Sequence, residues 1–375
     1  MMAVQNKMVF CTLFDSNYLD KGLALYCSMR RHISCFRLYI FTFDDKCYEV
    51  LSDMRLKNVV LVPLEDIMTE KLKQLKAERT HAEFCFTCTP VVIEYVLSEC
   101  QETICTYLDA DIYFFASPMN AIQEVFDKKC SVGLTKHGFE RNYDYARQIF
   151  RVGKYCIEFN TFINDQGGRQ VLREWKEDCL QWCYYRCEDG KFGDQKYPDK
   201  WKLKYSCVHD FQEQGIGISP WNLHLFTYIG HKNEEIQMKR RDSQFSLIFY
   251  HFEGMKYLNK KKIFLNLWRA SEEGTRKKVK LLYGTYIREL EKIRRYLERS
   301  YRVTFEHMIV DEKSFSRKKY SLKHFCEKYG LLVGLNIWTG FWLNNVSSIK
   351  RLCRENRRSR VCFCRKEQRR YRRHK

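Results

Sequence analysis

Short apolar runs alternate with amphipathic stretches through the first 110 residues, and that alternation leaves few architectures open. MVFCTLF (8–14), RLYIFTF (37–43), NVVLVPL (58–64) and ETICTYLD (102–109) read as buried strands, and LDKGLALYCSMRRH (19–32) reads as a helix between the first two. Thr89 followed by Pro90 predicts an N-cap and a first helical proline ahead of VVIEYVLSEC. Strands spaced by helices imply β-α-β units and a mainly parallel sheet, with the apolar fourth strand near its centre.

That fourth strand runs straight into Asp109 and Asp111, and from there straight back into the aromatics of IYFF. In open α/β sheets ligands collect beyond the carboxyl ends of strands. Two like charges delivered there by a buried segment cost energy unless something positive joins them. A divalent cation with a bound diphosphate meets that need, because hard oxygen ligands suit Mg2+ or Mn2+.

Downstream, YCIEFNTFIND (155–165) reads as a strand entering a turn, GGRQVLREWKEDCLQWCYYRC (167–187) as a long amphipathic helix, and FGDQKYPDKW (192–201) as a short helix opened by a turn. FSLIFYHFEG (245–254) reads as one strand that runs out at His251 and ends at Gly254. From about residue 258 the pattern turns helical and strongly charged, which sets a boundary between an α/β domain, 1–260, and a helical C-terminal region, 261–375.

The 375 residues carry a net charge of +20, which predicts an anionic partner. The segment 341–375 holds 13 Lys and Arg against 2 Glu, a net of +11, and the uncharged YGLLVGLNIWTGFWL (329–343) leads into it. This stretch is too short and too broken by Gly, Asn and Thr to span a bilayer. An interfacial helix followed by arginines, seated on an anionic membrane surface, is a better reading than nucleic-acid binding. The 18 cysteines are scattered through apolar segments and the N-terminus lacks the pattern of a signal peptide, so the thiols are read as reduced and the protein as cytoplasmic, peripheral on the cytosolic membrane face. Cys85 and Cys88 form an isolated C-x-x-C, short of the four ligands of a structural zinc site.

An ordered series of motifs over roughly residues 8 to 260 resembles the metal-dependent nucleotide-sugar glycosyltransferases of the GT-A fold, and among them glycosyltransferase family 8 and its bacterial relatives. The series is DSNY (Asp15, Asn17, Tyr18), Arg79, the D-x-D of Asp109 to Asp111, Asn160 at a turn, Asp194-Gln195, Trp221-Asn222 in PWN, and HFEG from His251 to Gly254. Two departures stand out: Thr161-Phe162 replaces the family's Ser-Gly, and Met255-Lys256-Tyr257 replaces its Lys-Pro-Trp.

The resemblance implies a mixed, mainly parallel central sheet flanked by helices, with Asp109, Asp111 and His251 holding Mn2+ or Mg2+ against the donor's phosphates. By the same resemblance Lys256 adds a second positive charge, and Asp15, Asn17 and Tyr18 face the base and ribose. Arg79 holds the diphosphate or braces Asp109, and Trp221 and Asn222, with Asn160, line a sugar. Asp194 and Gln195 sit beside the anomeric carbon and favour retention, although Asp194 or Asp210 as a base would fit inversion. The implied donor is a UDP-hexose and the acceptor a glycan or lipid-linked glycan of bacterial surface polysaccharide assembly. Two other classes compete. A sugar-nucleotide-forming nucleotidyltransferase normally shows a glycine-rich loop after the first strand, which DSNYLDKG is not. A non-enzymatic basic binding protein would leave the two aspartates without a task.

Overall fold

The computed structural model describes residues 7–142, 144–259, 262–267 and 274–310. The apolar segment 329–343 and the arginine-rich tail lie outside the described residues. The chain divides into two compact units, Met1–Met255 with Leu265–Met308, and Lys256–Phe264 with Ile309–Lys375.

The first unit is built on a seven-stranded sheet. Its strands are β1 (Met8–Phe14), β2 (Phe36–Thr42), β3 (Val59–Pro63), β4 (Ile104–Leu108), β6 (Val132–Lys136), β7 (Tyr155–Ile163) and β8 (Val208–Asp210), in the order β3-β2-β1-β4-β7-β6-β8. Only β7 runs against the others, since β1 to β4 pair in parallel, β7 is antiparallel to both β4 and β6, and β8 is parallel to β6. This is the mixed, mainly parallel α/β architecture that the resemblance implies. β1 and β4 are buried along their whole length, as expected of apolar runs without alternation that are covered by helices on both faces. The short strand β5 (Ile112–Phe114) leaves the main sheet and pairs antiparallel with the strand Phe249–His251.

Four local readings differ from the structure. The helix before β4 starts at His81, not at Pro90, because Thr80 and Glu83 form a reciprocal capping box. Pro90 lies inside this helix, where the Thr89 hydroxyl bonds back to the Cys85 carbonyl. The helix after β7 spans Gln166–Gln181 and stops short of residue 187, its last carbonyls being taken by the Arg79 side chain. The segment 245–254 is divided rather than continuous: Ser243–Ser246 joins a three-stranded sheet with Glu235–Arg240 and Thr227–Lys232, and Phe249–His251 turns to β5. Asn160 opens no turn, because it lies in the middle of β7, fully buried.

The charged helix Thr275–Tyr301 belongs to the sheet-bearing unit. Its apolar stripe carries Tyr286, stacked on Phe252 at 3.9 Å, and Tyr283, whose hydroxyl meets that of Tyr250 at 3.0 Å. Arg294 on the same helix pairs at 2.6 Å with Asp20, a carboxylate that is only 1 % exposed in the first turn of Leu19–His32. The charges of the sequence thus flank a buried aromatic seam. The second unit contributes the hairpin of Lys256–Asn259 and Lys262–Phe264.

Candidate active site

Asp109 leaves the carboxyl end of β4 with its N–H donating to the Glu158 carbonyl at 3.1 Å, and the chain then turns tightly so that the Ile112 N–H reaches the Asp109 carbonyl. The aromatic run after the aspartates exists to make β5, and β5 sets His251 opposite Ile112 in register. That pairing closes the site. His251 Nε2 lies 3.0 Å from Asp111 Oδ1 and 3.6 Å from Asp109 Oδ2, and the Lys21 ammonium lies 3.8 Å from Asp111 Oδ2. The other imidazole nitrogen, Nδ1, is hydrogen-bonded to Glu158 Oε2. Glu158 is wholly buried in β7 and also accepts from the Ser219 hydroxyl at 3.2 Å, while its Oε1 finds no hydrogen-bond partner among the described residues.

Three carboxyl groups thus converge around one imidazole and one ammonium. Burial works against the charge on Asp111, but His251 and Lys21 outweigh it and hold the group at about 2. Asp109 has no such margin. Burial, reinforced by Asp111, Asp194 and Glu158, pushes it up to about 8 despite His251. Burial raises Asp194 as well, to about 7, against a hydrogen bond from Thr89. Neighbouring groups driven this far apart are characteristic of functional sites.

The ligand atoms of Asp109, Asp111 and His251 all lie within 4.8 Å of one another. Two carboxylate oxygens and an imidazole nitrogen fit a hard divalent cation. Cys156, Glu158 and His251 are similarly close, but that set spends the His251 nitrogen already bonded to Glu158.

The DSNY loop stands beside this cluster through Lys21, whose ammonium is 3.7 Å from the centre of the Tyr18 ring. Asp15 caps the loop, accepting from the Asn17 backbone at 3.0 Å and from the Asn17 side chain at 2.8 Å, and pairs with His81 at 3.2 Å.

Other motif residues serve the framework around the cluster. Arg79 makes its hydrogen bonds to Thr87 and to the carbonyls of Cys179 and Leu180, not to Asp109. The Asn160 side chain ties Thr135 N–H to the Cys156 carbonyl across β6 and β7. Trp221 and Asn222 are buried and both donate to the His137 carbonyl, and the Trp221 ring stands edge-on to His251 at 5.9 Å. Gln195 donates to the Val152 carbonyl at 2.8 Å, which leaves Oε1 as its other polar atom. Gly254 has φ +68°, and a side chain there would strike Asn266. Lys256 opens the first strand of the second unit.

No protein-family profile matches the chain. Among curated proteins it is 29 % identical over 298 residues to YfnF of Bacillus subtilis, covering 77 % of this chain and 93 % of that one. It is 26 % identical over 288 residues to YfnD of the same organism, covering 76 % and 88 %. Both are described as uncharacterised. Among solved structures, the galactosyltransferase LgtC in complex with donor and acceptor sugar analogues aligns with 76 % of this chain and 96 % of its own at 12 % identity and a TM-score of 0.49. Mouse xyloside xylosyltransferase 1 aligns with 66 % and 98 % at 12 % identity and a TM-score of 0.42. These two are glycosyltransferases.

Sequence reasoning missed Lys21, His81 and Glu158. Glu158 had a signal, being the one charge in the apolar run YCIEFNTFI. Lys21 and His81 had none, because each looks like an ordinary first-turn helix residue.

Proposed function

We propose that the protein is a metal-dependent GT-A glycosyltransferase that moves a hexose from a UDP-sugar to a glycan or lipid-linked acceptor, with retention, in bacterial surface polysaccharide assembly. The observation that carries this reading is the convergence of Asp109, Asp111 and His251 on one point at the carboxyl end of β4, with Lys21 beside them.

Asp109, Asp111 and His251 would hold Mn2+ or Mg2+, and Glu158 keeps the His251 ring turned with Nε2 toward the aspartates. A cation held there would supply charge to neutralise the departing nucleoside diphosphate. Lys21 adds a fixed positive charge on the same side, so part of that stabilisation is built into the first helix. Asp15, Asn17 and Tyr18 face the base and ribose, and the ordered Asp15 turn presents them without further loop closure. In this reading Gln195, anchored through its amide nitrogen to Val152, and Asp194 stabilise the oxocarbenium-like centre.

Of the two carboxylates that would fit inversion as base, Asp194 and Asp210, the second is disfavoured. Burial opposes its charge, but the Tyr155 hydroxyl and Lys136, with Lys154, hold Asp210 down at about 2, which leaves it a poor proton acceptor. Among the described residues no helix is long and apolar enough to cross a membrane. The basic tail, outside the described residues, is read as the peripheral membrane contact.

The test is donor hydrolysis and thermal shift against a panel of nucleotide sugars with Mn2+, with Mg2+ and with chelator, on the wild type and Asp111→Ala. Metal-dependent stabilisation by one nucleotide sugar, absent from the variant, is the expected result. Equal behaviour of the two proteins would defeat the proposal. For the tail, truncation after about residue 325 should weaken vesicle binding in a salt-dependent way.

A further inference from the structure

Three lysines meet on one oxygen atom at the same end of the sheet as the D-x-D. Lys136 ends β6, Lys154 immediately precedes β7, and Lys202 lies in the short helix Trp201–Lys204; their ammonium groups stand 2.9, 3.4 and 3.3 Å from Asp210 Oδ2. The Tyr155 hydroxyl donates to the other Asp210 oxygen at 2.7 Å. Because β7 alone is reversed, Tyr155 at its beginning pairs with Lys136 at the end of β6, and Phe159 at its middle pairs with Leu108 at the end of β4, so the lysines lie toward the same carboxyl edge as Asp109 and Asp111.

The arrangement is unbalanced. One carboxylate answers three ammonium groups, and the side chains of the lysines are 38 to 42 % exposed. Gathering like charges this closely costs energy that one neighbour does not cancel, whereas a group with two negative charges would. The cluster also connects to the candidate active site through the backbone. His137, next to Lys136, holds Trp221 beside His251, and the Val152 carbonyl that anchors Gln195 lies two residues before Lys154.

From this geometry we infer that Lys136, Lys154 and Lys202 form an anion subsite that takes a phosphate or diphosphate carried by the acceptor. The inference rests on the transferase reading for the word acceptor. The cluster's affinity for phosphate does not depend on it.

The test uses the full chain in chelator, so that no cation bridges phosphate to the aspartates, and inorganic pyrophosphate followed by calorimetry. The expected result is saturable binding that weakens about tenfold in Lys154→Gln and in Lys202→Gln, the loss of one charge-assisted hydrogen bond. Asp210→Asn should bind pyrophosphate more tightly, a gain that misfolding cannot mimic. Lys176→Gln, which removes an ammonium paired with Glu94 away from both sites, should leave the binding unchanged. Absence of binding, or equal binding by the two lysine variants and the wild type, overturns the subsite.

Displacement of pyrophosphate by glucose 1-phosphate would assign the subsite to a phosphorylated glycan. Displacement by phosphatidylcholine vesicles containing a long-chain isoprenyl diphosphate would assign it to a lipid carrier, and displacement by neither would overturn the assignment to an acceptor. Metal-dependent donor hydrolysis, measured on the same lysine variants, should persist. Its absence in the wild type would defeat the transferase reading while the phosphate titration still judged the subsite.

Discussion

Glu158 and His251 are joined by a hydrogen bond inside the protein, 93 residues apart in the chain, and the bond leaves His251 Nε2 facing Asp111 and Asp109. A histidine ligand whose second nitrogen is held by a buried carboxylate has its orientation settled before any cation arrives. Glu158→Gln keeps the shape and removes the charge, so metal affinity should fall about 10- to 100-fold with the circular dichroism spectrum unchanged. A Mn2+ titration giving the wild-type midpoint would show that the bond is incidental.

Asp111→Ala removes one of the three proposed ligands and the partner of Lys21. The loss should be at least that of Glu158→Gln, about 100-fold or more in metal affinity, with metal-dependent donor binding abolished. His251 and Lys21 hold Asp111 at about 2, below the ordinary carboxylate value, so its charge stabilises the fold at neutral pH and the variant should also melt below the wild type in chelator. A lower melting temperature with unchanged metal affinity would instead make Asp111 a structural anchor.

Arg79 closes the end of the helix Gln166–Gln181 with bonds of 2.7 and 3.1 Å to the Cys179 and Leu180 carbonyls. Hydrogen bonds to a buried guanidinium are worth roughly 1.5–3 kcal/mol each, so Arg79→Met should destabilise the fold by about 3 kcal/mol or more in urea. Unchanged stability together with lost donor binding would return Arg79 to the diphosphate.

His81 beside Asp15 makes stability depend on pH. The hydrogen bond that His81 donates to Asp15 and contact with Cys85 raise the imidazole from its ordinary value to about 10, against a smaller opposing effect of burial. A raised folded-state value stabilises fully below the unfolded value of about 6.5 and loses that contribution as pH rises through about 10. The ring is 61 % exposed, so the effect should not exceed about 1 kcal/mol. The stability difference between wild type and His81→Gln should therefore shrink between about pH 6 and pH 10.5; a constant difference would exclude the pair as its source.

Tyr286 stacks on Phe252 one residue after His251. Tyr286→Ala should cost about 3–5 kcal/mol, the range for deleting a buried aromatic, and should weaken metal binding by loosening the strand that carries His251. Wild-type denaturation would show that the helix Thr275–Tyr301 is an appendage.

The frame was legible because its signals are local. The apolar runs of β1 and β4 and the amphipathic helix Leu19–His32 state their identity within a few residues, and Asp109 and Asp111 mark a strand end by breaking an apolar run. Reading failed where a distant partner decides the outcome. Thr89-Pro90 has the form of a helix start, yet the capping pair Thr80–Glu83 acts nine residues earlier. Nothing near residue 181 announces a helix end, because the group that ends it is Arg79. The residues 245–254 form one apolar run, and only the competition between β5 and Glu235–Arg240 for its two halves divides it. Lys21 acquires meaning only once Asp111 is placed across from it.

The pairing of β5 with Phe249–His251 brings His251 to Asp111, 140 positions earlier in the chain. A chain emerging from the ribosome therefore presents its two aspartates long before their histidine exists, and a product ending anywhere before residue 251 has the D-x-D without the partner strand that closes the site. The three proposed ligands are thus complete only when the strand Phe249–His251 has been made.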